Sequence, residues 1–150
     1  MVLIHIWTDG ACSAASRNGG WAAIIEQDTG IERLSGASYN TTNNRMEYTA
    51  IVKALEWLYL KVSPETHIVV HTDSKLVVGH VMEGHRVKKN ADLVDKVKNW
   101  VQFESTPHVT IEWHPRNSND MLSWCDKQAK YEKETLDSRG PRKLVSRVYP

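Results

Sequence analysis

The sequence predicts a mixed α/β fold in which helices cover both faces of a five-stranded mixed sheet. Three observations lead to this prediction. The chain of 150 residues has the length of a single domain with one substantial core. Its N-terminal part consists of alternating apolar and polar segments divided by turn signals, as in antiparallel hairpins. Beyond residue 46, segments with helical periodicity alternate with short apolar segments, as in parallel strands covered by helices. The predicted order is β-β-β-α-β-α-α-β-α.

Three strands are predicted in the N-terminal part. The segment "VLIHIWT" (2–8) alternates well enough for a strand, and Asp-Gly at 9–10 indicates a turn after it. The small, Gly-containing segment 11–20 predicts an exposed loop. The segments "WAAIIEQ" (21–27) and "IERLSGASY" (31–39) flank "DTG" and predict a hairpin. These three strands would form an antiparallel meander.

A helix is predicted from Met46 to Leu60, because the period of the apolar residues changes there to that of a helix with one buried face. Pro64 stops its continuation. The segment "HIVVHT" (67–72) is short and apolar, which is typical of a strand buried on both faces in a parallel sheet. The residues that carry the helical period are Met46, Ala50, Ile51, Ala54, Leu55 and Leu58.

The remaining elements are two helices, a strand and a final helix. A short helix is predicted for residues 76–84, and the amphipathic segment 91–103 predicts a longer one. The segment "HVTIEW" (108–113) predicts the fifth strand, and "DMLSWCDKQAKYEK" (120–133) the last helix. Because helices alternate with strands in this half, we expect its strands to be parallel and covered by helices.

Residues 1–135 are predicted to form the folded, catalytic domain and residues 136–150 a basic C-terminal tail, because the tail combines Gly, Pro and basic residues with little periodicity. The net charge is only +1, so any polyanion binding depends on a local patch. No apolar run approaches the roughly 18 residues of a membrane helix. The N-terminal "MVLIHIW" lacks the basic leader of a signal peptide, and we interpret it as a strand. We therefore expect a monomer that does not contact membranes.

The two cysteines, Cys12 and Cys125, are far apart in the sequence and form no CxxC pair. This pattern argues against a structural zinc site and favours a reducing compartment. We accordingly expect a cytoplasmic protein.

Two carboxylates follow predicted strands, Asp9 after the first and Asp73 after the fourth. Each also has a purely structural explanation. Asp9 belongs to an Asp-Gly pair, which is a frequent turn dipeptide. Asp73 or Ser74 can cap the helix that begins at Lys75. Neither position requires a ligand when it is considered alone.

Two further carboxylates face inward from predicted helices. Glu47 shares the buried face of its helix with Ile51, although "NRME" (44–47) also resembles a capping box. Asp126 lies on the apolar side of the last helix, and its structural alternative is an ion pair with Lys127 or Lys130. A buried carboxylate is costly unless it is paired or binds a metal.

Together, the four carboxylates predict a metal site. In α/β sheets, ligands bind in the crevice beyond the carboxyl ends of the strands. Acidic side chains that converge there repel one another, and hard divalent cations such as Mg²⁺ or Mn²⁺ relieve that repulsion. Two such ions about 4 Å apart can stabilise the attacking and the leaving oxygen of a phosphodiester displacement. We therefore predict that Asp73 takes part in holding metal.

Four motifs resemble ribonuclease H of type 1: "WTDGAC" (7–12), "TTNNRMEYTAIVKALEWL" (41–58), "HTDSKLVV" (71–78) and "WCDKQAK" (124–130). They occur in the order of that family, and the resemblance covers residues 3–133. It implies the ribonuclease H-like fold and hydrolysis of the RNA strand of RNA–DNA hybrids. It also implies two Mg²⁺ ions, for which Mn²⁺ can substitute, and products with 5′-phosphate and 3′-hydroxyl ends.

The resemblance implies roles for individual residues. The 2′-OH that marks the RNA strand is exposed in a wide, shallow minor groove, which makes selection for RNA chemically reasonable. The residues implied to bind metal are Asp9, Glu47, Asp73 and Asp126. The residues implied to bind the hybrid are Cys12, Thr42, Asn43 and Asn44.

By the same resemblance, His114 corresponds to a mobile histidine that assists proton transfer or product release. It ends the predicted fifth strand and precedes Asp126 in a loop whose length differs from the commonest pattern of the family. An imidazole that titrates near neutrality suits this role. The structural alternative is a strand-end histidine bonded to a neighbour.

The sequence also departs from the family pattern. The loop 11–20 lacks the Pro- and Gly-rich sequence common there, and the segment 83–93 lacks the long basic protrusion of some bacterial members. The basic tail could supply part of the grip on the substrate. Two alternatives remain, a DNA nuclease or strand-transfer enzyme of the same fold and an inactive hybrid-binding module. The presence of all four carboxylates disfavours the module.

Overall fold

A computed structural model describes residues 2–102 and 107–139 and places their elements in the predicted order. The strands are β1 (Leu3–Cys12), β2 (Gly19–Gln27), β3 (Gly30–Ser38), β4 (His67–Thr72) and β5 (His108–Trp113). The helices are α1 (Asn43–Leu58), α2 (Lys75–Met82), α3 (Ala91–Gln102) and α4 (Asp120–Asp137).

The strands form one five-stranded sheet in the order β3-β2-β1-β4-β5. β1 pairs antiparallel with β2, and β2 pairs antiparallel with β3. β1 and β5 both pair parallel with β4. The predicted mixed sheet is therefore confirmed, with the antiparallel meander on one side and the parallel strands on the other.

The main core lies between one face of the sheet and the helices α1, α2 and α3. The apolar face of α1 is buried there because its residues repeat at helical spacing. Burying one such aliphatic side chain contributes roughly 1.5–3 kcal/mol. The fully buried core residues include Ile4, Ile6, Tyr48, Ile51, Leu55, Leu58, Ile68 and Val70.

The opposite face of the sheet is covered unevenly. α4 packs on β1, β2 and β3, where Cys125 and Ala129 contact Ala22 and Ile24. Because Ile68 and Val70 of β4 belong to the main core, the alternate residues of β4 point to the face that α4 covers. On β4 and β5 that face carries one apolar side chain, Val69, and otherwise polar ones, namely His67, His71, His108, Thr110 and Glu112.

The predicted turn at Asp9 and Gly10 is wrong, because both residues lie within β1 and pair with β2. Gly10 is needed instead for a close approach between elements. A Cβ atom at Gly10 would lie 2.5 Å from the backbone nitrogen of Glu47 in α1. The predicted loop 11–20 is accordingly shorter, since only residues 13–18 lie between the two strands.

The predicted boundary after residue 135 falls inside α4, which runs to Asp137 and buries Leu136. Residues 140–150 of the predicted tail lie outside the described residues, so the tail stays a prediction. Among the helices of residues 2–102 and 107–139, none is both long and apolar enough to cross a membrane.

Candidate active site

Asp9 and Asp73 come together where β1 and β4 separate. The last parallel pair of these strands is Trp7 with His71, and each carboxylate follows two residues later in its own segment. One carboxylate oxygen from each of Asp9, Glu47 and Asp73 lies within 4.8 Å of the other two. The predicted convergence of these three side chains is therefore observed.

Glu47 reaches this position because α1 approaches β1 at Gly10 without an intervening side chain. The helix begins after Thr42, whose hydroxyl oxygen accepts a hydrogen bond of 3.2 Å from the backbone N–H of Arg45. Glu47 then lies one turn into the helix, with its side chain directed at the sheet and only 8% of the residue exposed.

Asp126 is contributed by α4 and is 7% exposed. Its charge raises the pKa of Asp9 and of Asp73, so it lies within electrostatic range of both. Its own Oδ2 lies 3.1 Å from Nζ of Lys130. Asp126 thus borders the three-carboxylate cluster from the helix side and is held there by a cation one turn away.

The electrostatics of the cluster favour uptake of positive charge. Burial is the main cause that raises the pKa of Asp9 to about 7, and Asp73 and Asp126 add to it. Burial also raises the pKa of Glu47, with Asp9 as the next cause. The pKa of Asp73 is raised by burial as well, although Arg116 opposes the shift. Each carboxylate is therefore costly to ionise without a counter-ion.

The donor set fits a hard divalent cation. Oδ1 of Asp9 accepts a hydrogen bond of 2.9 Å from the backbone N–H of Gly10, which fixes the carboxylate. Oε2 of Glu47 is buried and has no hydrogen-bond partner within the described part of the chain. A buried oxygen without a partner is costly, and a bound cation would satisfy it. Carboxylate oxygens suit Mg²⁺ or Mn²⁺.

The structural alternatives for Glu47 and Asp73 concern the starts of two helices. Glu47 does not stand in a capping box, because Thr42 is the N-cap of α1 and Glu47 lies beyond the third helical position. The predicted cap of α2, Asp73 or Ser74, is confirmed as Ser74, whose hydroxyl oxygen accepts from the backbone N–H of Val77, so the carboxylate of Asp73 is not needed as the cap.

The alternative for Asp126, an ion pair, does form, and Lys130 is its partner. Lys130 follows Asp126 by one helical turn on α4. Its side chain is long enough to return over one helical turn, which is the spacing of an i,i+4 pair. The ion pair leaves the buried carboxylate of Asp126 next to the cluster, so it is compatible with the predicted metal-binding role of Asp126.

A cavity of about 430 Å³ opens over the carboxylates. Glu47 and Asp73 line it together with the cationic side chains of Lys130 and Lys133. Such a mixture of metal-binding carboxylates and surrounding cations suits a phosphodiester whose charge must be neutralised. The predicted substrate-binding residues Cys12, Asn43 and Asn44 also line this cavity.

Thr42 lies in an adjoining cavity of about 350 Å³ that it shares with Cys12 and Asn43. Sγ of Cys12 donates to the backbone oxygen of Thr41 at 3.3 Å, so the loop after β1 is tied to the start of α1. The predicted substrate-binding residues are therefore neighbours along one rim of the site.

The structure places His114 in a different environment. Its Nε2 lies 2.7 Å from Nδ1 of His71, and its ring is tilted against that of Trp7. It is absent from the lining of the cavity over the carboxylates. The bonded strand-end histidine of the structural alternative is thus what the structure contains, and the catalytic role of His114 stays a prediction.

Arg116 was missed by the sequence reasoning. Its Nε lies 3.6 Å from Oδ2 of Asp73, and its side chain lines the cavity and is 63% exposed. The available signal was a cation in the loop between β5 and α4, since that loop must leave the sheet at the same edge as Asp73. Lys133 was missed for a related reason, because it lies one turn beyond Lys130 on the helix that supplies Asp126.

Comparison with known proteins gives a consistent result. The sequence profile of the RNase H family matches residues 3–131. A ribonuclease H of Anaplasma marginale is 40% identical over 119 residues, which cover 73% of this chain and 75% of the relative. A ribonuclease H of Chlorobium luteolum is 34% identical over 142 residues, which cover 85% and 92%.

Solved structures agree on the fold. The N-terminal RNase H domain of a Mycobacterium tuberculosis protein, solved as a fusion with maltose-binding protein, superposes with a TM-score of 0.80 at 20% identity and covers 94% of this chain and 100% of that chain. LC11-RNase H1, isolated from compost and solved in complex with an RNA/DNA hybrid, has a TM-score of 0.74 at 23% identity, with 89% and 98% covered.

Proposed function

Because the chain belongs to the ribonuclease H family, whose metal-dependent members hydrolyse the RNA strand of RNA–DNA hybrids, we propose that four of its carboxylates hold two Mg²⁺ ions for this reaction. The proposed ligands are Asp9, Glu47, Asp73 and Asp126. The observation that carries the proposal is the convergence of two buried carboxylates, Asp9 and Glu47, with the half-buried carboxylate of Asp73 beneath a cavity lined by cations. One oxygen of Glu47 has no hydrogen-bond partner among the described residues.

Hydrolysis adds a hydroxyl to phosphorus and a proton to the leaving 3′ oxygen, so the products carry 5′-phosphate and 3′-hydroxyl ends. The bound ions would supply an activated water and neutralise the attacking and leaving oxygens. The side chains of Arg116, Lys130 and Lys133 would bind the non-bridging phosphate oxygens, since all three line the cavity.

Strand selection would come from the rim of the site. Asn43 and Asn44 stand in the first turn of α1, where side-chain amides and backbone N–H groups can donate to sugar and phosphate oxygens. Cys12 and Thr42 complete this rim. A 2′-OH in the minor groove can both donate and accept there, which distinguishes RNA from DNA.

His114 is proposed to assist proton transfer at the leaving oxygen or the release of product. Its imidazole is 30% exposed, and Glu112 lies 3.9 Å away. To serve at the phosphate it would have to leave His71. We also propose that the protein is a monomer and that it is cytoplasmic, and the two free cysteines support the second of these.

The test is cleavage of a strand-labelled RNA–DNA hybrid in Mg²⁺ or Mn²⁺, beside duplex DNA and duplex RNA. We expect cleavage of the RNA strand of the hybrid alone. We expect no cleavage by Asp73→Asn, which keeps the size of the side chain and removes its charge. Cleavage of DNA would move the protein to another activity of the same fold. Hybrid binding without cleavage in either ion would favour the inactive module.

A further inference from the structure

A second cluster of metal-binding side chains lies on the open part of the sheet, outside the contact area of α4. One ligand atom from each of His71, Glu112 and His114 lies within 4.8 Å of the other two. Nδ1 of His71 is 2.7 Å from Nε2 of His114. Oε2 of Glu112 is 3.7 Å from Nδ1 of His71 and 3.9 Å from Nε2 of His114.

The backbone fixes these three side chains relative to one another. His71 of β4 and Glu112 of β5 are paired residues of adjacent parallel strands, so they stand side by side on one face. The backbone N–H of His114 donates to the oxygen of Thr72 at 2.8 Å, which continues the same ladder by one step. The cluster therefore rests on the sheet rather than on a loop.

Two residues of β1, His5 and Trp7, fix the orientation of the His71 ring. Its Nε2 lies 2.8 Å from Nδ1 of His5 on β1. The indole of Trp7 stacks on it, with 3.8 Å between ring centroids and 14° between planes. If Nδ1 of His71 binds an ion, its Nε2–H donates to His5, and this is the arrangement that holds a ligating imidazole in one tautomer.

We propose that His71, His114 and Glu112 form a second cation site, which takes an imidazole-preferring transition ion such as Zn²⁺. Bonds of about 2.0–2.1 Å in a tetrahedral zinc site separate the donor atoms by about 3.3 Å. The two nitrogens would have to part by about half an ångström, and Glu112 to approach by a similar amount. Glu112 is free to do so because its side chain is 57% exposed.

The two sites select different ions. The cluster of Asp9, Glu47 and Asp73 offers oxygen alone, which suits Mg²⁺, whereas two imidazoles and one carboxylate suit Zn²⁺, Co²⁺ or Ni²⁺. A loaded second site would also keep His114 on His71 and away from the phosphate. Transition ions would thereby act on the enzyme at a place that Mg²⁺ does not fill.

The test is calorimetric titration of the full chain with Zn²⁺ in saturating Mg²⁺, repeated with Co²⁺ to record its visible spectrum. We expect one Zn²⁺ per chain that Mg²⁺ does not displace. His114→Ala and Glu112→Gln should raise Kd more than about tenfold, and His5→Phe about tenfold through the lost acceptor. These sites are exposed or half-buried, so circular dichroism should report an intact fold.

The matched control is His85→Ala, because His85 and Glu83 form another exposed histidine–glutamate pair at 3.8 Å, which has no third ligand among residues 2–102 and 107–139. Its Kd should not change. Binding that Mg²⁺ displaces, that Asp9→Asn or Cys12→Ser abolishes, or that survives both His114→Ala and Glu112→Gln would overturn the proposal. Because the readout is binding, it is independent of hybrid cleavage.

Discussion

At the scale of single residues, Asp9 shows how burial and neighbouring carboxylates oppose the ionisation of an acidic side chain in the candidate site. Its folded pKa of about 7 lies above the unfolded value of 3.8. Between these two values the folded chain retains a proton that the unfolded chain has lost, so stability falls as the pH rises through this window. The raised pKa of Glu47 acts in the same direction. These two carboxylates should therefore stabilise the metal-free protein less at pH 8 than at pH 5, and Mg²⁺ should reverse that loss. His71 contributes the opposite trend, because burial lowers its pKa to about 4.

Asp9→Asn should raise the thermal stability of the metal-free protein at pH 8 while it abolishes cleavage. Removing a buried charge is stabilising, and for a chain of this length each kcal/mol corresponds to roughly 2–4 °C in Tm. Calorimetry with chelator at pH 8 and pH 5 measures the effect, which should be smaller at pH 5. The control Asp92→Asn should not stabilise, because Arg45 lowers the pKa of Asp92. A lower Tm for Asp9→Asn at pH 8 would contradict this account.

Arg116→Ala should reduce hybrid cleavage about tenfold. A hydrogen bond to a charged group is worth roughly 1.5–3 kcal/mol, and 1.4 kcal/mol corresponds to a factor of ten. Steady-state kinetics should show partial recovery in Arg116→Lys, which keeps the charge but not the planar donor group. Arg33→Ala is the control, since Arg33 of β3 lies over the ring of Trp124 in α4. Equal cleavage rates for Arg116→Ala and the unaltered protein would show that Arg116 does not take part in hybrid cleavage.

The carboxylates were predictable at this scale and the cations were not. A buried acidic residue contradicts the apolar pattern around it, so Glu47 and Asp126 were recognisable from periodicity alone. Arg116 contradicts no pattern, because a cation in a polar loop is ordinary. Only the strand order places its side chain beside Asp73.

At the scale of elements, the site depends on two close approaches between backbones. At Gly10, β1 meets the start of α1, and at Gly20, β2 meets the backbone oxygen of Ala129 in α4. A Cβ atom at either glycine would collide with backbone atoms, which cannot relieve the collision by a change of rotamer as a side chain can. The contact at Gly10 sets how closely Glu47 approaches β1. The contact at Gly20 sets the distance between the sheet and α4, the helix that carries Asp126.

Gly10→Ala should weaken Mg²⁺ binding and lower stability by about 1–3 kcal/mol, because α1 must withdraw from β1 to admit the methyl group. Calorimetric Mg²⁺ titration and urea denaturation measure the two effects. Gly79→Ala is the matched control, since the nearest atoms belong to the exposed side chain of His85, which can rotate away. Unchanged Mg²⁺ affinity in Gly10→Ala would mean that the close approach of α1 to β1 at Gly10 does not position Glu47 for metal binding.

The order of elements could be read from the sequence because each has a clear period. The ends of β1 could not. Asp-Gly is a strong turn signal on its own, and tertiary packing overrides it where α1 requires a glycine inside a strand. Tertiary packing also extends α4 beyond its predicted end at residue 133, because Leu136 is buried there.

At the scale of the whole molecule, the small net charge of +1 leaves substrate binding to local groups. Each cation that contacts a phosphate releases counter-ions, so the number of contacts is measurable as a salt slope. Under the proposed function, the cationic residues that line the cavity, Arg116, Lys130 and Lys133, would add to this number of contacts. The predicted basic tail would add to it.

Removal of residues 141–150 should raise KM for the hybrid at low salt and leave Tm unchanged. The deletion takes away Arg142, Lys143 and Arg147. Loss of up to three phosphate contacts should make the slope of log affinity against log salt shallower by about two units. Glutamine at the same three positions in the full chain is the control for length. A salt slope that stays constant would exclude the tail from the hybrid.

The four carboxylates come from β1, α1, the end of β4 and α4, so the parts of the site span residues 9 to 126. A ribosome adds roughly 5–20 residues per second, and most of the chain must emerge before these parts can meet. A nascent chain or a proteolytic fragment that ends before residue 126 lacks at least one of the four proposed ligands, and we expect it not to cleave the hybrid. Under the proposed function, the chain would gain cleavage activity only after α4 has been synthesised and has packed on the sheet.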